Sequence, residues 1–287
     1  MTGLSLREPK MKKVVSKSPI TVEKHTITSK NLKREVRIDF YVPEHKGTLG
    51  LLLMNDGQDA EALHLKSELE TFFRNHPHKT PLTVGIHAAD RLHEYGTTYS
   101  ADYMKRGKGA GAYHKFILNE LLPMIYNTFD ITSDRSKRAV MGFSMGALSA
   151  FDLVYQNPSV FGLAGCFSGS FWWRKKAYFR GFDEKKDRII HRMVRKQGYK
   201  PGLRFWFMAG TREEEDDRNN NGIIDVIDDQ LDLIAQLCCT GYKPYYDIHY
   251  LEIEDGQHNH ESWKLGIQNF LEWGFCKRRT EGYLLKK

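Results

Sequence analysis

The chain has 287 residues, 40% of them hydrophobic and 28% charged, with a formal net charge of +7. That length suits one large α/β domain, and no apolar run nears the roughly 20 residues that span a bilayer, which excludes a membrane partner from the expectation. The Lys and Arg residues fall in short clusters (105–108, 174–176 and 277–279) with no recognisable nucleic-acid module between them, so a basic surface without a nucleic-acid partner is expected.

Residues 1–18 are basic but have no continuous apolar stretch of the kind a secretory signal needs. They are expected to form a flexible tail ahead of a single domain over 19–287. Pro19–Pro43 alternates apolar and polar residues (ITVEKHTI, then EVRIDFYV), a period that predicts two exposed antiparallel strands. Apolar runs bounded by turns then predict buried strands at Leu49–Asn55, Leu82–His87, Arg138–Met141, Leu163–Phe167, Leu203–Ala209 and Ile248–Ile253. Helical spacing marks Asp59–Asn75, Gly111–Tyr126, Ala147–Gln156, Ile224–Thr240 and Glu261–Phe275. Strands alternating with helices predict a mostly parallel sheet covered on both faces. Phe171–Gly202, aromatic at its start and then charged and helical, interrupts the alternation and is expected to be an insertion over one edge of the sheet. Cys166, Cys238, Cys239 and Cys276 form no C-x-x-C pair. They read as reduced thiols, which points to the cytoplasm.

Gly142-Phe143-Ser144-Met145-Gly146 matches G-x-S-x-G between a short strand and a helix. In that setting the pattern predicts the nucleophile elbow of an α/β-hydrolase fold, with Ser144 presented at the C-terminal edge of the sheet. The N–H of Met145 then faces a developing oxyanion. The N–H of Gly57, in the turn Asn55–Asp59, is the candidate second donor. The fold orders its triad as Ser, acid, His. The base is therefore sought after the last strand, where His258 is preferred and His260 is held in reserve. The acid is sought after the strand Leu203–Ala209, where Glu213 stands nearest and Glu214 and Asp216 remain open.

Asp217, Asn219, Asn221, Ile223 (through its carbonyl), Asp225 and Asp228 follow the spacing of a twelve-residue calcium loop, with Gly222 at the sharp turn. The alternative is an Asn/Gly-rich turn that orders itself. A bound Ca²⁺ here would be structural. The chemistry itself requires no cofactor.

Six short pieces in order, Asn55–Gln58, Arg91–Tyr95, Gly142–Gly146, Phe167–Trp173, Gly210–Glu213 and Gly256–Trp263, resemble the esterase D, or Putative esterase, family of α/β-hydrolases, and within it the enterochelin and feruloyl esterases. The resemblance covers roughly residues 20–275. It implies Ser144 as nucleophile, His258 as base, and Glu213 at a position where the family usually has Asp. Gln257 stands where the family has a second glycine. Gln58, Arg91, Trp172 and Trp173 are candidate substrate contacts, the tryptophans by stacking on a sugar or an aromatic acyl group. Arg91 has a structural alternative, pairing with Glu94. The expected function is hydrolysis of a small-molecule carboxylic ester, carbohydrate-linked or of siderophore type. The alternatives are acyl transfer on the same fold and a non-catalytic, calcium-dependent glycan-binding module.

Overall fold

The computed structural model describes residues 18–45, 47–179 and 181–276. The tail expected at 1–18, apart from Ser18, and the 277–279 cluster lie outside them. Eight strands form one sheet: β1 (Ile20–Ser29), β2 (Arg34–Pro43), β3 (Leu51–Asn55), β4 (Leu82–Ile86), β5 (Arg138–Phe143), β6 (Leu163–Phe167), β7 (Arg204–Gly210) and β8 (Ile248–Ile253). Their spatial order is β1-β2-β4-β3-β5-β6-β7-β8. The β1–β2 and β2–β4 pairs are antiparallel and every later pair is parallel. This is an α/β-hydrolase fold.

The helices are α1 (Leu65–Asn75), α2 (Arg91–Glu94), α3 (Ala110–Phe116), a π-helical turn (Ile117–Leu121), α4 (Leu122–Thr128), α5 (Met145–Gln156), α6 (Glu184–Asp187), α7 (Ile189–Gln197), α8 (Asp225–Thr240) and α9 (His260–Leu271). Side chains alternate across the parallel strands. Leu51, Leu53, Val140, Cys166, Phe205 and Phe207 pack on one face, beneath α3, α4, α5, α7 and α8. Leu52, Met54, Met141, Phe167, Trp206 and Met208 pack on the other, against α1 and α9. Each fully buried Leu, Phe or Met on either face contributes ~1.5–3 kcal/mol.

Two expectations change. Only β1 of the first hairpin is exposed; β2 lies between β1 and β4, with Val36, Ile38 and Phe40 buried. The helix expected from Asp59 begins at Leu65, because a 3-10 turn at Gly57–Asp59 and left-handed His64 (φ 51°) occupy the intervening chain. The insertion holds α6 and α7. It is tied to α8 where Arg188 meets Asp229 at 2.6 Å and Asp232 at 2.5 Å. Among the described residues, no helix is long and apolar enough to cross a membrane.

Candidate active site

Three neighbouring strands, β3, β5 and β6, run parallel and end at the same edge of the sheet. Each is followed by a non-glycine residue in positive φ: Asp56 (61°), Ser144 (54°) and Ser168 (50°). Such conformations cost on the order of 1–3 kcal/mol each and persist only where the surroundings impose them. At Ser144 the imposing contact is visible. A Cβ on Gly142 would lie 2.3 Å from the carbonyl oxygen of Gly146, so β5 and α5 meet at a bend that excludes a side chain there. The Ser144 N–H donates to the Phe167 carbonyl at 2.9 Å, which joins the bend to β6. Among the described residues, the hydrogen-bond partner of the Ser144 hydroxyl is Ser170 Oγ, at 3.3 Å.

The turn after β3 is clamped to the start of α5. Asn55 Nδ2 donates to the Gly146 carbonyl at 2.8 Å and Asn55 Oδ1 accepts from the Tyr113 hydroxyl at 2.6 Å. The Asp56 N–H donates to the Tyr95 hydroxyl at 3.0 Å. The Asp56 carboxylate is fully buried and takes a two-pronged contact from Arg91, at 2.7 and 3.1 Å. Burial pushes this carboxyl up while the Arg91 hydrogen bonds pull it down. Arg91 is thus a clamp on the turn through Asp56; Glu94 pairs with Arg34 instead. Gln58 spends its amide on Asp56 Oδ1 and on the Ala88 N–H. These contacts leave the N–H groups of Gly57 and Met145 without a hydrogen-bond partner among the described residues.

Glu213 and His258 lie on the loops after β7 and β8. His258 Nδ1 stands 2.7 Å from Glu213 Oε2. The Glu213 side chain is 1% exposed and that of His258 39%, so the acid is sheltered while the imidazole faces outward. Glu213 Oε1 accepts from the Gly210 N–H at 2.6 Å and from Ser168 Oγ at 2.5 Å. Trp263 Nε1 donates to that same Ser168 oxygen at 2.8 Å. The two loops also touch through backbone: a Cβ on Gly210 would meet the Gly256 carbonyl oxygen at 2.3 Å. Of the neighbouring acids, Glu214 is otherwise employed and Asp216 is tied through its backbone. Glu214 accepts the Val226 N–H in the first turn of α8, and the Asp216 carbonyl accepts the Asp225 N–H. His260 lies 3.5 Å from Asp59.

The two tryptophans differ. Trp173 is fully buried and donates to the Ser100 carbonyl at 3.1 Å, so it packs the insertion and offers no stacking face. Trp172 is half-buried, with the Arg106 guanidinium 4.7 Å from its ring centre. It lines a cavity of about 270 Å³ together with Tyr103, Arg174, Tyr178 and Glu214.

In the 217–228 loop, Gly222 is left-handed and Asp217 accepts the N–H groups of Asn221 and Gly222. The side-chain amides of Asn219 and Asn221 both reach Asp228 Oδ2 at 2.8 Å. The Asp225 side chain faces Arg218, at 3.1 Å. No group of three or more His, Cys, Asp or Glu is gathered to hold a metal among the described residues.

The sequence alone does not single out Ser168, Ser170, Asp56 or Trp263. Asp56 lies in Asn55–Gln58, Ser168 and Ser170 lie in Phe167–Trp173, and Trp263 closes Gly256–Trp263, so three of the six family-like pieces carry a signal for them.

The fold and the family match together put the chain in the class of carboxylic-ester hydrolases. The chain belongs to the Putative esterase family, whose model matches residues 29–272. It is 24% identical over 221 residues to the uncharacterized protein YbbA of Bacillus subtilis (strain 168), over 74% of this chain and 80% of that one. Its structure is similar to an enterochelin esterase from Shigella flexneri, with TM-score 0.70 and 20% identity over 93% of this chain. The match spans 59% of that longer protein. A ferulic acid esterase (TM-score 0.65, 16% identity, 89% of this chain and 97% of that one) and the BES protein of Bacillus cereus (0.65, 16%, 94% and 98%) share the fold.

Proposed function

We propose that the protein hydrolyses small-molecule carboxylic esters through Ser144, His258 and Glu213. As the Ser144 oxygen attacks the ester carbonyl, His258 Nε2 takes its proton and Glu213 steadies the resulting imidazolium through Nδ1. The oxyanion accepts hydrogen bonds from the N–H groups of Met145 and Gly57. His258 returns the proton to the departing alcohol, leaving an acyl group on Ser144. A water molecule, deprotonated by the same imidazole, then releases the acid and restores the serine.

The observation that carries this reading is the 2.7 Å contact between His258 and a sheltered Glu213, on loops adjoining a strained serine bend. Catalytic hydrogen bonds are often loose before substrate binds, so the present Ser144–Ser170 contact is compatible with it. The aromatic–cationic wall of Trp172, Arg106 and Arg174, beginning two residues beyond Ser170, favours an aromatic or sugar-bearing ester, including esters of the siderophore type, over a long alkyl chain. Trp173's burial weighs against a glycan-binding surface built on both tryptophans. The charged insertion favours hydrolysis over transfer of a long acyl chain. The free thiols Cys166, Cys238, Cys239 and Cys276 suit a reducing cytoplasm. We also propose a structural Ca²⁺ in the 217–228 loop, held by Asp217, Asn219, Asn221, the Ile223 carbonyl, Asp225 and Asp228, on the spacing of these residues and the left-handed turn at Gly222.

A fluorophosphonate probe tests the chemistry. Wild type is expected to label and Ser144→Ala to remain unlabelled. A folded wild type that does not label sinks the reading. A panel of acetyl, feruloyl and catecholate-lactone esters then ranks the substrates.

A further inference from the structure

Resting on the triad proposed above, we infer that Ser168 and Trp263 are positioning residues forming a one-way hydrogen-bond chain, Trp263 to Ser168 to Glu213, that aims the acid at His258. An indole N–H can only donate and an ionised carboxylate can only accept, while a hydroxyl has a single proton. The contacts Trp263 Nε1–Ser168 Oγ (2.8 Å) and Ser168 Oγ–Glu213 Oε1 (2.5 Å) therefore admit one arrangement. The indole occupies the hydroxyl's lone pair, and the hydroxyl proton must go to Glu213. With Gly210 N–H on the same oxygen, Oε1 is held at two points and Oε2 is left to His258. A glutamate has one more rotatable bond than the aspartate usual at this position, so its carboxylate needs a second anchor that a shorter acid would not.

Two further observations support the assignment. Ser168 is fully buried and sits at φ 50°, a strained conformation that glycine would adopt more readily. Its N–H donates to the Met208 carbonyl on β7, which fixes the bend against the strand that leads to Glu213. Trp263 meanwhile packs edge-on against the His258 ring, with centroids 5.2 Å apart, and lies 5.2 Å from the ring of Phe143, the neighbour of Ser144. One indole thus braces the base directly and the acid through Ser168.

The test compares Ser168→Ala, Ser168→Gly, Trp263→Phe and the double variant Ser168→Ala/Trp263→Phe in the full chain, with an ester the wild type turns over. Removing a hydrogen bond to a charged group predicts that kcat falls about ten- to a hundred-fold in both Ser168 variants, with KM little changed. Glu213 becomes more basic without that donor, so the acid limb of kcat/KM moves to higher pH. The low-field proton resonance of the protonated His258 Nδ1–H shifts as well. Ser168→Gly relaxes the backbone, so it should lose rate while keeping its denaturation midpoint; a loss of rate with that fold intact excludes simple unfolding. Phenylalanine keeps an aromatic ring against His258 and removes the N–H, so the double variant should be no slower than its slower parent, because the two hydrogen bonds act in series. An unmoved acid limb with kcat within about two-fold of wild type in a folded Ser168→Gly overturns the chain, as do multiplicative losses in the double variant. Those failures leave the triad standing if Ser144→Ala is inactive; turnover by Ser144→Ala would instead remove the triad itself.

Discussion

The proposed role of Glu213 asks two things of one carboxylate: an anchor in a sheltered place and one oxygen free for an imidazole. Oε1 satisfies the first through Gly210 and Ser168, and Oε2 the second through His258. Glu213→Gln keeps the size but places an amide where two donors already point. The side chain must either clash with those donors or present NH₂ to Nδ1, which forces the wrong imidazole tautomer. We expect kcat to fall on the order of 10³–10⁴-fold with fluorophosphonate labelling slowed in parallel, measured by steady-state kinetics on any ester the wild type accepts; a loss under ten-fold would remove Glu213 from the mechanism. Ser144 is legible in the amino-acid sequence because its signal is local: two glycines, a strand before and a helix after. Ser168 is not, because its meaning depends on partners 45 and 95 positions away. Arg91 illustrates the same point. Its nearby carboxylate in the chain, Glu94, turns to Arg34, and its actual partner is Asp56.

At the scale of elements, α8 begins at Asp225, inside the 217–228 segment, and Glu214 and the Asp216 carbonyl both hold its first turn. A cation in that loop would fix the start of the helix and, through it, the segment immediately after Glu213. If the loop binds Ca²⁺, a concentration one hundred times Kd stabilises the fold by about 2.7 kcal/mol, a rise of several degrees in Tm at this chain length. Asp217→Ala should abolish that rise. Identical melting curves with Ca²⁺ and with chelator would return the loop to a self-ordered turn. Strand and helix periods are readable along most of the chain because each buried run is short and bounded by turns. The burial of β2 is not, because its alternation is the same whether or not another strand lies beside it; pairing with β4, more than forty residues on, decides the matter. Likewise nothing local announces that His64 turns left-handed and delays α1.

For the molecule as a whole, two buried histidines weaken the fold in acid, while Asp229, whose carboxyl burial pushes up to about 6, acts in the opposite sense. His114 and His191 are buried, and burial holds both imidazoles below their ordinary pKa of 6.5; Asp152 pulls against this at His114, and Arg188 reinforces it at His191. The unfolded chain therefore takes up protons that the fold refuses. The contribution of these two histidines is fully present above about pH 6.5 and falls as the pH drops below it. Urea denaturation on either side of that value should show the decline, and His191→Gln should flatten it. A midpoint independent of pH from neutrality down to about 5 would contradict the account.

The contact between Gly210 and Gly256 has a mechanical corollary. Two loops that touch backbone to backbone resist sliding past one another, so the contact holds Glu213 and His258, the proposed acid and base, in one frame. We expect selectivity to be tuned by the segment bearing Trp172 and Arg174, whose helix α7 packs Ile189, Ile190, Met193 and Val194 into the core and is tied to α8 by ion pairs. Grafting residues 171–202 from a relative with different tastes should exchange the preferred ester and leave the reacting groups undisturbed.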